Sequence, residues 1–170
     1  MPKPIRPIRI EGNIAYVPLS RGFEAKIDAL DAEIIGRWNW CVSVRPRGLY
    51  AVRTIQPKGG RRQTILMHRE IIGDDCGPCV DHINHDGLDN RRCNLRSATH
   101  SENSRNRKRM SNNKSGYKGV FWEEKRRKWC AQIRLHGKTK RIGRFSSAEE
   151  AHAAYCKAAY EIHGEYARFE

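Results

Sequence analysis

The chain has 170 residues, with 33 Lys or Arg against 19 Asp or Glu and a formal net charge of +14. Only 38% of residues are hydrophobic, and no stretch approaches the ~20 apolar residues of a membrane span; collagen, coiled coil and a disulfide-dense toxin are also excluded. The charge calls for a polyanionic partner, and its distribution, 10 basic and 5 acidic residues over 1–60, 10 and 7 over 61–110, and 13 and 7 over 111–170, predicts contact through several segments and not through one basic tail.

Residues 1–9, rich in Pro and Arg, read as an extended arm without an apolar signal region. A cytosolic, reduced setting is therefore expected, in which the six scattered cysteines form no disulfides. Ile14–Leu19 is a strand candidate. Asp28–Trp38 offers acidic residues before an apolar run, a helix start. Trp40–Val44, Leu49–Ile55 and Gln63–His68 read as strands joined by Pro/Gly turns, with a short helix over Arg69–Ile72. Residues 74–94 are too dense in Gly, Asp and Asn for a packed helix. Thr99 and Glu102 fit a capping box, so a polar, basic helix is expected from His100 to Arg109. Ser111–Ser115 is a polar linker. Strands follow at Gly119–Trp122, Trp129–Leu135 and Lys140–Ile142, then a helix opened by Ser147 and Glu150 and ended by Gly164. In the middle strand Trp129, Ala131, Ile133 and Leu135 share one face, and Cys130, Gln132 and Arg134 form the outer one. The helix is expected to bury Ala151, Tyr155, Ala158, Ala159 and Ile162.

The chemistry concentrates in residues 80–103. A carboxylate (Asp81) adjoins an imidazole (His82), with amides at Asn94 and Asn103. A hard divalent cation such as Mg²⁺ takes oxygen ligands and keeps several waters. A neutral histidine beside it can accept a proton near neutral pH. Phosphodiester hydrolysis needs both parts. Because neighbours on a strand point to opposite faces, Asp81 and His82 can share a site only where the strand ends or twists. The alternative reading is a structural loop whose Asp and Asn side chains only cap turns.

The pattern Asp81-His82, Asn94-Leu95-Arg96 and Asn103 resembles the HNH nuclease motif, the ββα-metal finger, in its His-Asn-Asn form, and most resembles the phage- and intron-borne homing endonucleases. That resemblance implies Asp81 and Asn103 as metal ligands, His82 as general base and Asn94 as the residue that holds the two-strand loop. With Asn103 in place of a histidine, Mg²⁺ or Mn²⁺ is favoured over Zn²⁺, as is nicking. Arg105 and Arg107 would bind flanking phosphates. Cys76-Gly77-Pro78-Cys79 reads by default as a turn. A redox centre lacks its βαβ setting, and a structural Zn²⁺ site from Cys76, Cys79 and Cys93 lacks a second close pair. His68 reads as a packing residue in a strand.

The run SGYKGVFW…KWCAQIR…KTKRIGRFSSAEEAHAAYCKAAYEIHGEYARF resembles the plant ethylene-response-factor (AP-two) DNA-binding domain. The resemblance implies a three-stranded sheet laid in the major groove with the helix behind it. Lys118, Arg134 and Arg141, with Gln132 beside them, align with its DNA-contacting positions. Phe121 stands where the plant proteins place an arginine, so their target is not transferred. Residues 1–72 resemble the strand-rich region that precedes the motif in phage endonucleases, with Arg45, Arg47 and Arg53 as candidate DNA contacts.

The expectation is an α+β chain in four parts. A strand-rich region covers 1–72, the nuclease motif 73–110, a linker 111–115 and an AP-two-like domain 116–170. It would be a metal-dependent homing endonuclease acting on double-stranded DNA in the cytoplasm of a phage's or mobile element's host, with no membrane or protein partner implied. The rivals are a non-catalytic DNA-binding transcription regulator and a zinc-stabilised adaptor.

Overall fold

A computed structural model describes residues 4–46, 48–73, 76–105, 113–135 and 137–169. It is a mixed α+β chain of small antiparallel sheets, and it divides into two compact units, Met1–Ala98 and Thr99–Glu170. The expected nuclease segment, 73–110, spans that division. Among the described residues no helix is long and apolar enough to cross a membrane.

In the first unit, β1 (Arg9–Glu11), β2 (Ile14–Pro18) and β3 (Glu24–Asp28) form one sheet in that order. Alternation decides which faces are buried: Ala15 and Val17 of β2 lie opposite Ile27 and Ala25 of β3 and all four are inside, while Glu24 and Lys26 face out. A second sheet holds β4 (Cys41–Arg45), β5 (Gly48–Ile55) and β6 (Gln63–Leu66). A third is the ribbon of β7 (Cys79–His82) and β8 (Leu95–Ala98). One core joins them. It is built on Ile27, Trp40, Ala51, Met67 and Ile71, and Val80 and Leu95 of the ribbon belong to it. Trp40, wholly buried, donates its indole N–H to the Ile35 carbonyl at 2.9 Å.

Several expectations change here. Asp28 ends β3 and starts no long helix; the helical part is a 3-10 turn at Ala29–Asp31 and α1 (Ala32–Ile35). The third strand of the second sheet stops at Leu66, so His68 lies on α2 (Met67–Ile72) and not on a strand. The described part of the N-terminal arm is tied down, since the Arg6 backbone N–H donates to Asn39 Oδ1 at 3.0 Å and Ile8 packs against the core. Arg53, a candidate DNA contact, is bound to both Glu70 oxygens at 2.9 and 3.0 Å and lies over the Trp38 ring at 4.6 Å. Arg47 lies outside the described residues.

The second unit opens with α3 (His100–Arg105), capped as expected: Thr99 Oγ1 accepts from the Glu102 N–H at 3.2 Å, and Glu102 Oε2 accepts from the Thr99 N–H at 2.7 Å. Residues 106–112, the expected end of that helix and the start of the linker, lie outside the described residues. Then β9 (Val120–Glu123), β10 (Lys128–Leu135) and β11 (Lys138–Phe145) form a sheet with β10 central, and α4 (Ala148–His163) buries Ala151, Tyr155 and Ala159 against it. Cys130 is a correction. It lies on the outer face yet is wholly buried, because Glu123 and Arg144 close over that face, with Sγ 3.3 Å from Glu123 Oε2.

Gly119 is where this unit is tightest. It holds φ +74°, and a Cβ there would stand 2.3 Å from the Tyr155 ring and 2.8 Å from the Gln132 carbonyl oxygen. Overpacking and positive φ both penalise a side chain, so Gly119→Ala is expected to cost about 2–4 kcal/mol. Chemical denaturation measures this, and a wild-type midpoint would contradict the packing described.

Candidate functional site

The ribbon places Asp81 opposite Arg96 and His82 opposite Leu95. Asp81 and His82 are both buried. Neighbours on a strand point to opposite faces, so this ribbon is covered on both sides, and each polar side chain needs its own partner. Asp81 Oδ2 accepts from Arg96 Nε at 3.0 Å and from Nη2 at 2.8 Å. The two side chains are only 12% and 9% exposed, Arg96 and Asp81 respectively. An unpaired carboxylate at that depth is strongly destabilising, and the cross-strand guanidinium supplies the compensation.

His82 ends its strand against His68 and Tyr50. The imidazole rings meet edge-on at 5.0 Å between centroids, and the Tyr50 ring lies at 6.0 Å. Nε2 of His82 is 3.2 Å from Asn90 Oδ1. Burial pushes the His82 pKa below its ordinary value, outweighing the upward pull of Asn90 and of the nearby Asp81. The ring is therefore neutral near pH 7 and able to take a proton. Burial, with His82 as the next cause, pushes His68 down to about 3.

The loop between the strands is held by its own amides and by the N-terminal sheet. The Asn94 side chain accepts from the Asn84 N–H at 2.9 Å and donates to Asn84 Oδ1 at 2.9 Å and to the Asp89 carbonyl at 2.7 Å. The Lys26 N–H on β3 donates to the Leu88 carbonyl at 2.8 Å, and the Asn90 N–H donates to the Lys26 carbonyl at 2.7 Å. Arg92 grips Asp31 with bonds of 2.7 and 3.0 Å. Gly87 leaves no room for a side chain, since a Cβ would stand 2.3 Å from the Leu49 carbonyl oxygen on β5.

Asp81, His82 and Asn94 thus lie in the first unit. Asn103 lies in the second, on α3, where its N–H donates to the Thr99 carbonyl at 3.0 Å. Arg105 closes that helix, and Arg107 lies outside the described residues. Lys118 is half-buried, and desolvation followed by the charge of Arg168 brings it down to about 8. Gln132 and Arg141 face each other across β10 and β11, and Arg134 is exposed with its Nε 3.3 Å from the Gly137 carbonyl. Arg141 is 3.7 Å from Glu123, whose carboxylate also takes the Arg144 Nε at 2.5 Å and is held down to about 2, chiefly by that bond. Trp122 is opposite Trp129, with the rings edge-on at 5.2 Å.

Asn90, Tyr50 and Glu123 were not among the sequence-derived candidates, and no local spacing marks them. They are recognised only by what the fold sets beside them. A divalent cation of the Mg²⁺ type suits the oxygen chemistry of a carboxylate such as Asp81, and there it would share the carboxylate with Arg96. Among the described residues no three His, Cys, Asp or Glu side chains gather as a metal site. Cys76 is buried while Cys93 is exposed, and all six cysteines are free thiols.

A buried imidazole thus lies beside an arginine-bound carboxylate, on a strand ribbon whose loop is closed by asparagines. Residues 77–105 match the model of the HNH endonuclease family. The chain is 36% identical over 93 residues to Protein 3.8 of Escherichia phage T7, a match covering 55% of this chain and 76% of that protein. It is 36% identical over 104 residues to an uncharacterised HNH endonuclease of Acanthamoeba polyphaga mimivirus, covering 61% of this chain and 51% of that one. The chain thus spans about half the length of the mimivirus relative. No solved structure matches it significantly.

The depressed His68 pKa has a consequence for stability. Between ~6.5, the ordinary histidine value, and about 3, the unfolded chain holds a proton that folded His68 refuses. Stability therefore falls as pH is lowered through that window. His68→Phe removes this contribution, and the dependence of Tm on pH between about 6 and 4 is expected to flatten. An unchanged slope in thermal unfolding would refute the assignment.

Proposed function

We propose that the chain is a divalent-metal-dependent endonuclease of the homing type that hydrolyses phosphodiester bonds in double-stranded DNA, acting in the cytoplasm of a phage's or mobile element's host. The observation that carries this reading is His82, a buried neutral imidazole next to Asp81 within the HNH segment. His82 accepts a proton from the attacking water. Asn94 keeps the loop closed so that the imidazole stays in place. The resemblance gives Asp81 and Asn103 as the oxygen ligands of Mg²⁺ or Mn²⁺. A cation held by them would supply positive charge that stabilises the departing 3′ oxygen.

DNA affinity and site preference fall, in this reading, to the AP-two-like sheet, through Lys118, Gln132, Arg134 and Arg141, with Arg105 and Arg107 on flanking phosphates. The outer face of that sheet supports it, since Gln132, Arg134, Arg141 and Arg144 share it. Arginine and glutamine can read base edges, and lysine neutralises phosphate. One observation favours the non-catalytic DNA-binding regulator: Arg96 already occupies an oxygen of Asp81.

Supercoiled plasmid separates the two readings. Nicks that appear with Mg²⁺ and vanish with EDTA are expected; a gel shift without cutting would establish the regulator. His82→Ala is expected to lower cleavage by at least about a hundredfold, the low end of general-base contributions, with DNA affinity unchanged. Wild-type-like cutting by that variant would remove His82 from the mechanism. Arg134→Ala is expected to weaken DNA binding by about fivefold or more, and unchanged affinity in a gel-shift titration would take the sheet face out of the interface.

A further inference from the structure

We propose that Asn90 is the positioning residue that decides which nitrogen of His82 receives the proton from water, an inference that rests on the nuclease reading above. Asn90 is wholly buried. Its side-chain Nδ2 donates to the Leu88 carbonyl at 3.2 Å, so Oδ1 is the atom left facing His82, 3.2 Å from Nε2. An amide oxygen only accepts hydrogen bonds. His82 Nε2 therefore carries the hydrogen, and the neutral ring keeps its lone pair on Nδ1.

The amide is itself oriented from outside the motif. The Leu88 carbonyl that takes Asn90 Nδ2 also takes the Lys26 N–H at 2.8 Å, and the Asn90 N–H returns to the Lys26 carbonyl at 2.7 Å. Strand β3 thus fixes the loop backbone, the backbone fixes the amide, and the amide fixes the imidazole. The His68 ring, edge-on at 5.0 Å and 83° to that of His82, limits its rotation. In the reaction, water passes its proton to Nδ1 while its oxygen bonds to phosphorus. The bond from phosphorus to the 3′ oxygen breaks, and that oxygen takes a proton from solvent.

The imidazole ¹⁵N shifts of His82 test this directly, recorded on the full-length chain at about pH 8, above the ordinary histidine value, and assigned with His82→Gln. The wild-type chain is expected to show Nε2–H alone. Asn90→Leu, similar in size but without an acceptor, is expected to mix the tautomers and lower kcat for plasmid nicking about tenfold or more with KM for DNA unchanged. Asn90→Asp restores the acceptor and is expected to restore Nε2–H. An Nδ1–H tautomer in a wild-type chain that cleaves would overturn the role of Asn90 alone, as would an Asn90→Leu chain that keeps pure Nε2–H. Because the wild-type spectrum does not depend on Asn90→Leu, poor folding of that variant leaves the test intact. A wild-type chain that shows Nε2–H and never nicks DNA would overturn the nuclease reading instead.

Discussion

The first unit is organised by one constraint: a carboxylate and an imidazole are buried at adjacent positions of a short strand. Burying either without a partner is costly, and the cost is greatest for the charge. Asp81 and His82 each take a separate partner. Arg96 answers for Asp81 from the facing strand, and Asn90 answers for His82 from the loop. A two-stranded ribbon is at best marginal in isolation. Its burial comes from the core built by the N-terminal sheets and α2, into which Val80 and Leu95 are inserted.

This gives the N-terminal strands a purpose that their own sequence does not declare. They are walls and anchors for the loop. Lys26 lends its backbone to Leu88 and Asn90, Asp31 holds Arg92, and the Leu49 carbonyl on β5 presses close enough to Gly87 to exclude any side chain there. The loop therefore has little freedom despite its Gly, Asp and Asn content. Its asparagines bond to one another and to the backbone, and such a network stays ordered only while its members are satisfied together.

The second unit solves a different problem. Its sheet has one face filled by α4 and one face crowded with cations. Glu123 sits among them and draws Arg144 and Arg141 to itself. It reduces like-charge repulsion on that face and holds two guanidinium groups in defined positions. The same closure buries Cys130, which strand alternation alone would leave outside.

Alternation and capping were legible in the chain by itself, because they depend on residues a few positions apart. The strands around Ala15, Val42 and Ala51, the cap at Thr99, and Ala151, Tyr155 and Ala159 as the buried stripe of α4 all follow from local spacing. The candidates Asp81, His82 and Asn94 are likewise read from order along the chain. The partners are not. Arg96 across the ribbon, Asn90 against His82, His68 on a helix instead of a strand, and β3 as the support of the loop are contacts between segments whose separation carries no periodic signal. Sequence by itself determined the candidate groups, Asp81, His82 and Asn94; only tertiary structure decided how each is neutralised and oriented, because a buried polar group takes its partner from whatever the fold brings beside it.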